Sequence, residues 1–198
     1  MAKVSLQDIQ KLRTMTGLGM LDCKKALEES KGDIEKAIEI LRKRGIALAG
    51  KRADKDTSQG LVYAYIHPGD QTGVLVEINC ETDFVARNDT MKMFAKDLAM
   101  HIAAIKPKYI APEDVEASFL DKEKEIAKAQ LAQQGKPENM IDKIVEGKMK
   151  KIYNDVCLLK QAFVKDDKKT VEEIIQELSA KTGEKVQVKR FSRFSIGE

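Results

Sequence analysis

Three carboxylates, Glu77, Glu81 and Asp83, crowd the end of a strand-like run. Paired carboxylates are the residue types for general acid–base work or for holding a divalent cation. Carboxylates are also common at strand ends, and no pocket signature or plausible base accompanies these. Histidine is scarce, with only His67 and His101, and no HExxH-like spacing occurs. His101 lies near the apolar stripe of a helical pattern. It reads as a packing residue or hydrogen-bonder, with a further partner contact as its functional alternative. Cys23, Cys80 and Cys157 are far apart and form no CxxC pair, so free thiols in a reducing compartment are expected. There is no P-loop, no GxGxxG after a strand and no GxSxG. Gly17-Leu18-Gly19 is a helix-breaking turn, since no Lys-Ser/Thr follows. The pattern predicts no enzyme, no resident metal and no cofactor.

One segment stands apart: Glu77-Ile78-Asn79-Cys80-Glu81-Thr82-Asp83-Phe84-Val85-Ala86-Arg87. Thr82 is placed to cap a helical turn, and Asp83 suits its positive end. Phe84 and Val85 then fall at a strand-to-helix corner. Burial preference alone turns Phe84 back into the core. The functional alternative is an aromatic wedge, carried by a rigid corner into a partner's pocket.

The elements that must position this corner follow from pattern. Residues 5–45 read as three short helices. Ser5 caps the first, with Asp8 in a capping-box-like position. Asp33 caps the third, where Ile34, Ala37, Ile38 and Leu41 recur at helical spacing. Arg42-Lys43-Arg44-Gly45 reads as its end. Polar residues 50–58 read as a solvated linker, although Lys51 and Arg52 could touch phosphate. Leu61–Ile66 and Gly73–Asn79 form an antiparallel hairpin across His67-Pro68-Gly69-Asp70. A long helix from Asp89 carries Met91, Phe94, Leu98, Ile102 and Ile105 on one face and stops at Lys106-Pro107. Residues 113–156 read as a helical hairpin, with Ile141, Ile144, Val145, Met149, Ile152 and Val156 along a thin seam. Its charge run is read as a solvated face. A helix then opens at Lys169-Thr170-Val171. A final strand carries Val186, Val188, Phe191 and Phe194, with a bulge expected near Arg190. The fold class is α+β: a three-helix domain (1–49), a linker (50–58), a core in two pieces (59–112 and 157–198) and the hairpin insertion (113–156). Strand order is not readable from pattern.

Composition narrows the function. The 198 residues include 35 Lys+Arg and 32 Asp+Glu, a net charge of +3, which argues against holding nucleic acid by bulk electrostatics. No apolar run approaches the roughly 18 residues of a membrane span. The N-terminus leads straight into polar residues, so no secretory signal and a cytoplasmic or organellar location are expected.

The corner carries Thr-Asp-Phe-Val, and a second run, Leu12-Arg13-Thr14-Met15-Thr16-Gly17-Leu18-Gly19-Met20-Leu21-Asp22-Cys23-Lys24-Lys25-Ala26-Leu27, precedes it. Both resemble signatures of the translation elongation factor Ts family, in the expected order. The Lys-Pro helix end after His101, Phe163-Val164 and Arg193-Phe194 are also family-like, and the resemblance covers essentially the whole chain. It implies a guanine nucleotide exchange factor for the GTPase elongation factor Tu. It also implies a ubiquitin-associated-like N-terminal domain, an α+β core and a helical hairpin. Arg13, Met20 and Leu21 match docking positions. Thr82, Asp83, Phe84 and Val85 match the corner that disturbs Mg²⁺ and phosphate binding. Longer members carry two core subdomains and this chain one, so the resemblance implies a short form that homodimerises, with residues 186–194 as the candidate edge. Two other readings stay open. One is an adaptor or RNA-associated interaction module; the other is an enzyme using Glu81 and Asp83.

Overall fold

A computed structural model describes residues 4–134 and 137–198. In chain order the elements are α1 (Leu6–Thr16), α2 (Met20–Glu29), α3 (Ile34–Lys51), β1 (Gln59–Ile66), β2 (Thr72–Cys80), α4 (Asp83–Arg87) and α5 (Asp89–Ile105). There follow α6 (Ala117–Gln133), α7 (Glu138–Val156), β3 (Ala162–Phe163), β4 (Asp166–Thr170), α8 (Val171–Thr182) and β5 (Gln187–Ser195). The chain is therefore α+β, as expected, with a three-stranded antiparallel sheet in the order β1-β2-β5. The strand joined last to the sheet thus lies beside the second, and β1 and β5 are its edges. Two compact units divide the chain. The first holds Met1–Val62, Glu77–Phe94 and Glu173–Lys189; the second holds Tyr63–Val76, Ala95–Glu172 and Arg190–Glu198.

The first unit begins with the three helices. The Ser5 hydroxyl accepts the Asp8 amide at 3.0 Å and so satisfies one free donor of α1. Gly17 closes α1 in the left-handed region (φ 69°), with its N–H on the Arg13 carbonyl at 2.7 Å. The Lys36 amide donates to Asp33 at 3.0 Å, as its capping role requires. Ile9, Leu12, Cys23, Ala26, Leu27, Ala37 and Leu41 close over one another as a core. Cys23, Cys80 and Cys157 are free and buried.

The predicted end of the third helix is wrong. α3 continues through Gly45 to Lys51. Gly45 is buried, and a Cβ there would sit 3.1 Å from the Ala180 Cβ of α8. It is present because two helices approach closely, not because one stops. The cations before it do not serve a helix terminus either. Arg42 reaches Glu173 of α8 at 3.1 Å, and Lys43 reaches Glu39 at 2.8 Å.

The second unit contains the rest of α5, whose Leu98 and Ile102 are fully buried while Ile105 is 43% exposed. Lys106 takes a left-handed turn (φ 58°) ahead of Pro107, and the helix stops there as expected. α6 and α7 pack along Ala127, Leu131, Val145 and Met149, flanked by Ile141, Ile144 and Ile152. Of the turn between these helices, Gly135 and Lys136 lie outside the described residues. The antiparallel β3–β4 pair was not expected from sequence. Its longer strand is Asp-Asp-Lys-Lys-Thr, a polar run with poor strand propensity, and tertiary pairing overrides that preference. α8 accordingly starts at Val171, after β4 has used Lys169 and Thr170. Along β5 the burial alternation slips at Lys189 and Arg190, both exposed, where a bulge was expected.

Candidate partner-binding site

The corner after β2 is built in the first unit. Thr82 enters in an extended conformation (φ −126°, ψ 157°) and caps α4, its hydroxyl accepting the Val85 amide at 3.5 Å. Asp83 occupies the first turn and pairs with Arg87 at 3.2 Å. Val85 is half-buried and Ala86 buried, which anchors the helix on one side. Phe84 is not anchored: 82% of it is exposed. The expectation from burial preference, that this ring folds into the core, is overturned. The single turn directs Val85 and Ala86 inward, and Phe84 lies on the opposite side of the same turn.

A polar network behind the corner holds it in place. The Glu184 carboxylate, from the loop after α8, accepts the Glu81 and Thr82 amides at 3.1 and 3.0 Å and the Thr82 hydroxyl at 2.6 Å. Glu81 answers in the other direction. It accepts the Lys185 amide at 2.6 Å and the Arg52 guanidinium at 2.7 Å on each oxygen. The Lys185 amide, and then the Arg52 guanidinium, hold the Glu81 carboxyl below the usual carboxylate range. The Lys185 ammonium donates to the Ala53 and Lys55 carbonyls at 2.6 and 3.1 Å, and Gln187 donates to the Thr57 hydroxyl at 2.6 Å. The segment read as a solvated linker is thus fastened to the corner, and Arg52 serves Glu81. The Cys80 thiol donates to the Thr82 carbonyl at 3.1 Å. Burial first, and the nearby Glu184 charge second, push that thiol up, so it stays protonated and able to donate.

This arrangement decides what the carboxylates do. Glu81 is consumed in fixing the loop, and a carboxylate with a lowered pKa is a weak base. Among the described residues no group of three or more His, Cys, Asp or Glu side chains could hold a metal ion. The other candidates are placed as follows. Arg13 and Leu21 are exposed, Leu21 at 73%, and Met20 is half-buried against the three-helix core. The short turn Gly17–Gly19 puts the last turn of α1 beside the first turn of α2, so all three belong to one corner of the bundle. His101 is fully buried in the second unit. Its Nδ1 accepts the Val164 amide at 3.2 Å, which places the proton on Nε2, facing the Gln161 carbonyl oxygen at 2.9 Å. Phe163 stacks on it at 5.7 Å. Both ring nitrogens are occupied, so His101 fastens the segment before α8 to α5 and has no free atom for a partner.

Sequence reading missed Glu184, Lys185 and the purpose of Arg52. Glu184 lies about a hundred residues from the corner it holds, and only the loop signal Thr182-Gly183 marks its neighbourhood.

The family described as Elongation factor TS matches residues 3–198. The chain is 54% identical over 198 residues to elongation factor Ts of Desulforamulus reducens, covering 100% of this chain and 91% of that one. It is 54% identical over 196 residues to elongation factor Ts of Thermotoga neapolitana, covering 99% and 98%. It is 53% identical over 195 residues to that of a Thermoanaerobacter species, covering 98% and 96%. The chain belongs to the elongation factor Ts family, the nucleotide exchange factors of translation elongation.

Proposed function

We propose that this chain promotes GDP release from elongation factor Tu by inserting the Thr82–Val85 corner into the nucleotide domain, with Phe84 leading. The observation that carries this reading is an aromatic side chain, 82% exposed, on a corner whose backbone is pinned from behind. Exposed aromatic rings on rigid supports are the usual anchors of protein interfaces. Arg13, Met20 and Leu21 make a separate docking contact through the α1–α2 corner. The inserted ring disturbs Mg²⁺ and phosphate binding in the partner, and GDP leaves.

No covalent step is involved, so no catalytic group is needed. A factor that binds the nucleotide-free partner better than the GDP-bound partner must weaken GDP affinity by the same factor. Direction comes from whichever nucleotide is abundant. The test is release of a fluorescent GDP from elongation factor Tu, measured with this chain and with its Phe84→Ala variant. Loss of acceleration supports the wedge.

A homodimer belongs to the same reading. β5 is an edge of the sheet, and Leu75, Phe194 and Ile196 are exposed on its strand pair and terminus. An unpaired edge beside exposed apolar side chains suits a second copy related by a two-fold axis. At micromolar concentration the solution mass is expected at twice that of one chain, and a single-chain mass counts against the dimer.

A further inference from the structure

We propose that Glu184 is a positioning residue for nucleotide exchange, acting on the partner only through Phe84. The inference rests on the wedge reading and adds to it the group that aims the wedge.

Phe84 has almost no packing of its own, so its direction is inherited from the backbone at Thr82. That backbone is held at several points. Its amide and hydroxyl go to Glu184, and its carbonyl accepts the Cys80 thiol and the Ala86 amide. Three of the holding bonds, including the one from the Glu81 amide, converge on one carboxylate. Bonds to an ionised acceptor are shorter and stronger than neutral ones, and the 2.6 Å hydroxyl contact is of that kind. The clamp is also reciprocal: Glu184 holds the amides of Glu81 and Thr82, while Glu81 holds the amide of Lys185. Two segments about a hundred residues apart therefore lock each other in register. Removing Glu184 leaves two amides and a hydroxyl without their acceptor. The extended entry into α4 then samples other angles, and Phe84 moves with it.

The consequence falls on insertion and spares docking. Arg13, Met20 and Leu21 stand on a bundle with its own core, so the first encounter does not involve Glu184. A corner that holds the competent angle a tenth of the time lowers the rate within the docked complex about tenfold.

The experiment measures fluorescent GDP release from elongation factor Tu over a range of factor concentrations, which separates the maximal rate from KM. Glu184→Ala is expected to lower the maximal rate about tenfold with KM unchanged. Glu184→Gln is expected to restore most of it, because its carbonyl can accept both amides and its NH₂ can donate to the Thr82 hydroxyl oxygen. Added to Phe84→Ala, Glu184→Ala is expected to cause no further loss, the signature of two residues acting as one unit. An unchanged maximal rate in Glu184→Ala overturns the proposal, as does a Gln variant no better than Ala or a further loss in the Phe84→Ala background. Should Glu184→Ala fail to fold, Thr82→Val removes the hydroxyl's bond to Glu184 together with its cap on the Val85 amide, and an unchanged maximal rate there overturns it. If Phe84→Ala itself releases GDP at the full rate, the wedge reading fails first. If only the Glu184 variants behave as wild type, the wedge stands and the positioning role fails.

Discussion

Replacing Phe84 by Ala separates binding from folding. A Phe side chain buries about 200 Å² when fully enclosed. With 82% of the residue exposed, roughly 160 Å² remains for a partner to cover. At about 25 cal/mol per Å² this amounts to about 4 kcal/mol available to insertion. The part already covered contributes less than about 1 kcal/mol to folding by the same measure. Not all of the larger figure is realised, since insertion also costs the order of the groups it fixes. A loss of about 3 kcal/mol corresponds to roughly a hundredfold slower release at 1.4 kcal/mol per tenfold. The melting temperature, in contrast, is expected to fall by no more than about 4 °C. Stopped-flow release of fluorescent GDP from elongation factor Tu and a thermal melt of the free chain read the two quantities independently. The reasoning is refuted if release is unaffected. It is refuted equally if the melt drops by 10 °C or more, because Phe84 would then be part of the core in solution.

Two further outcomes follow from the buried and half-buried titrating groups. The Glu81 carboxyl is held below its ordinary value of 4.5 by the Lys185 amide and Arg52, so its contribution to stability is complete above that value and is lost as pH falls through the lowered folded value. Melts between pH 6 and 3 are expected to show a shallower acid loss in Glu81→Gln than in the parent chain, and an identical slope would sink the assignment. Burial lowers the His101 pKa from 6.5, which favours the neutral ring in the folded chain; unfolding free energy is therefore expected to decline as pH falls below 6.5. Urea unfolding at pH 7.5 and 5.5 checks this, with the decline reduced in His101→Gln, and equal declines in both proteins would count against it.

Local signals were readable where one segment supplied both partners of an interaction. Ser5 and Asp8, Asp33 and Lys36, and Thr82 and Val85 stand three residues apart, and their caps were legible because a helix start is a short-range event. The seam of α7 was equally plain, since periodicity reports one face of one helix. Failures occurred where a distant segment supplied the reason. Gly45 and its preceding cations mimic a helix end, yet α8 passes close enough to require a glycine there. The polar residues 52–57 mimic a free linker, yet Glu81, Lys185 and Gln187 bind them. β4 has strand geometry without strand composition.

The same division holds for function. From its residue types and their order alone, this chain could be assigned its α+β class, its lack of a catalytic motif and its family signature at Thr82–Val85. Each of these is a property of contiguous residues. Whether Phe84 faces inward or outward was not such a property, since a phenyl ring satisfies the same local pattern either way. The tertiary structure decided it. Ala86 and Val85 take the inward side of a single helical turn, and Glu184 fixes the angle of that turn from the far end of the chain. The corner that carries the exposed ring is braced by distant segments, and sequence order does not record which segments those are.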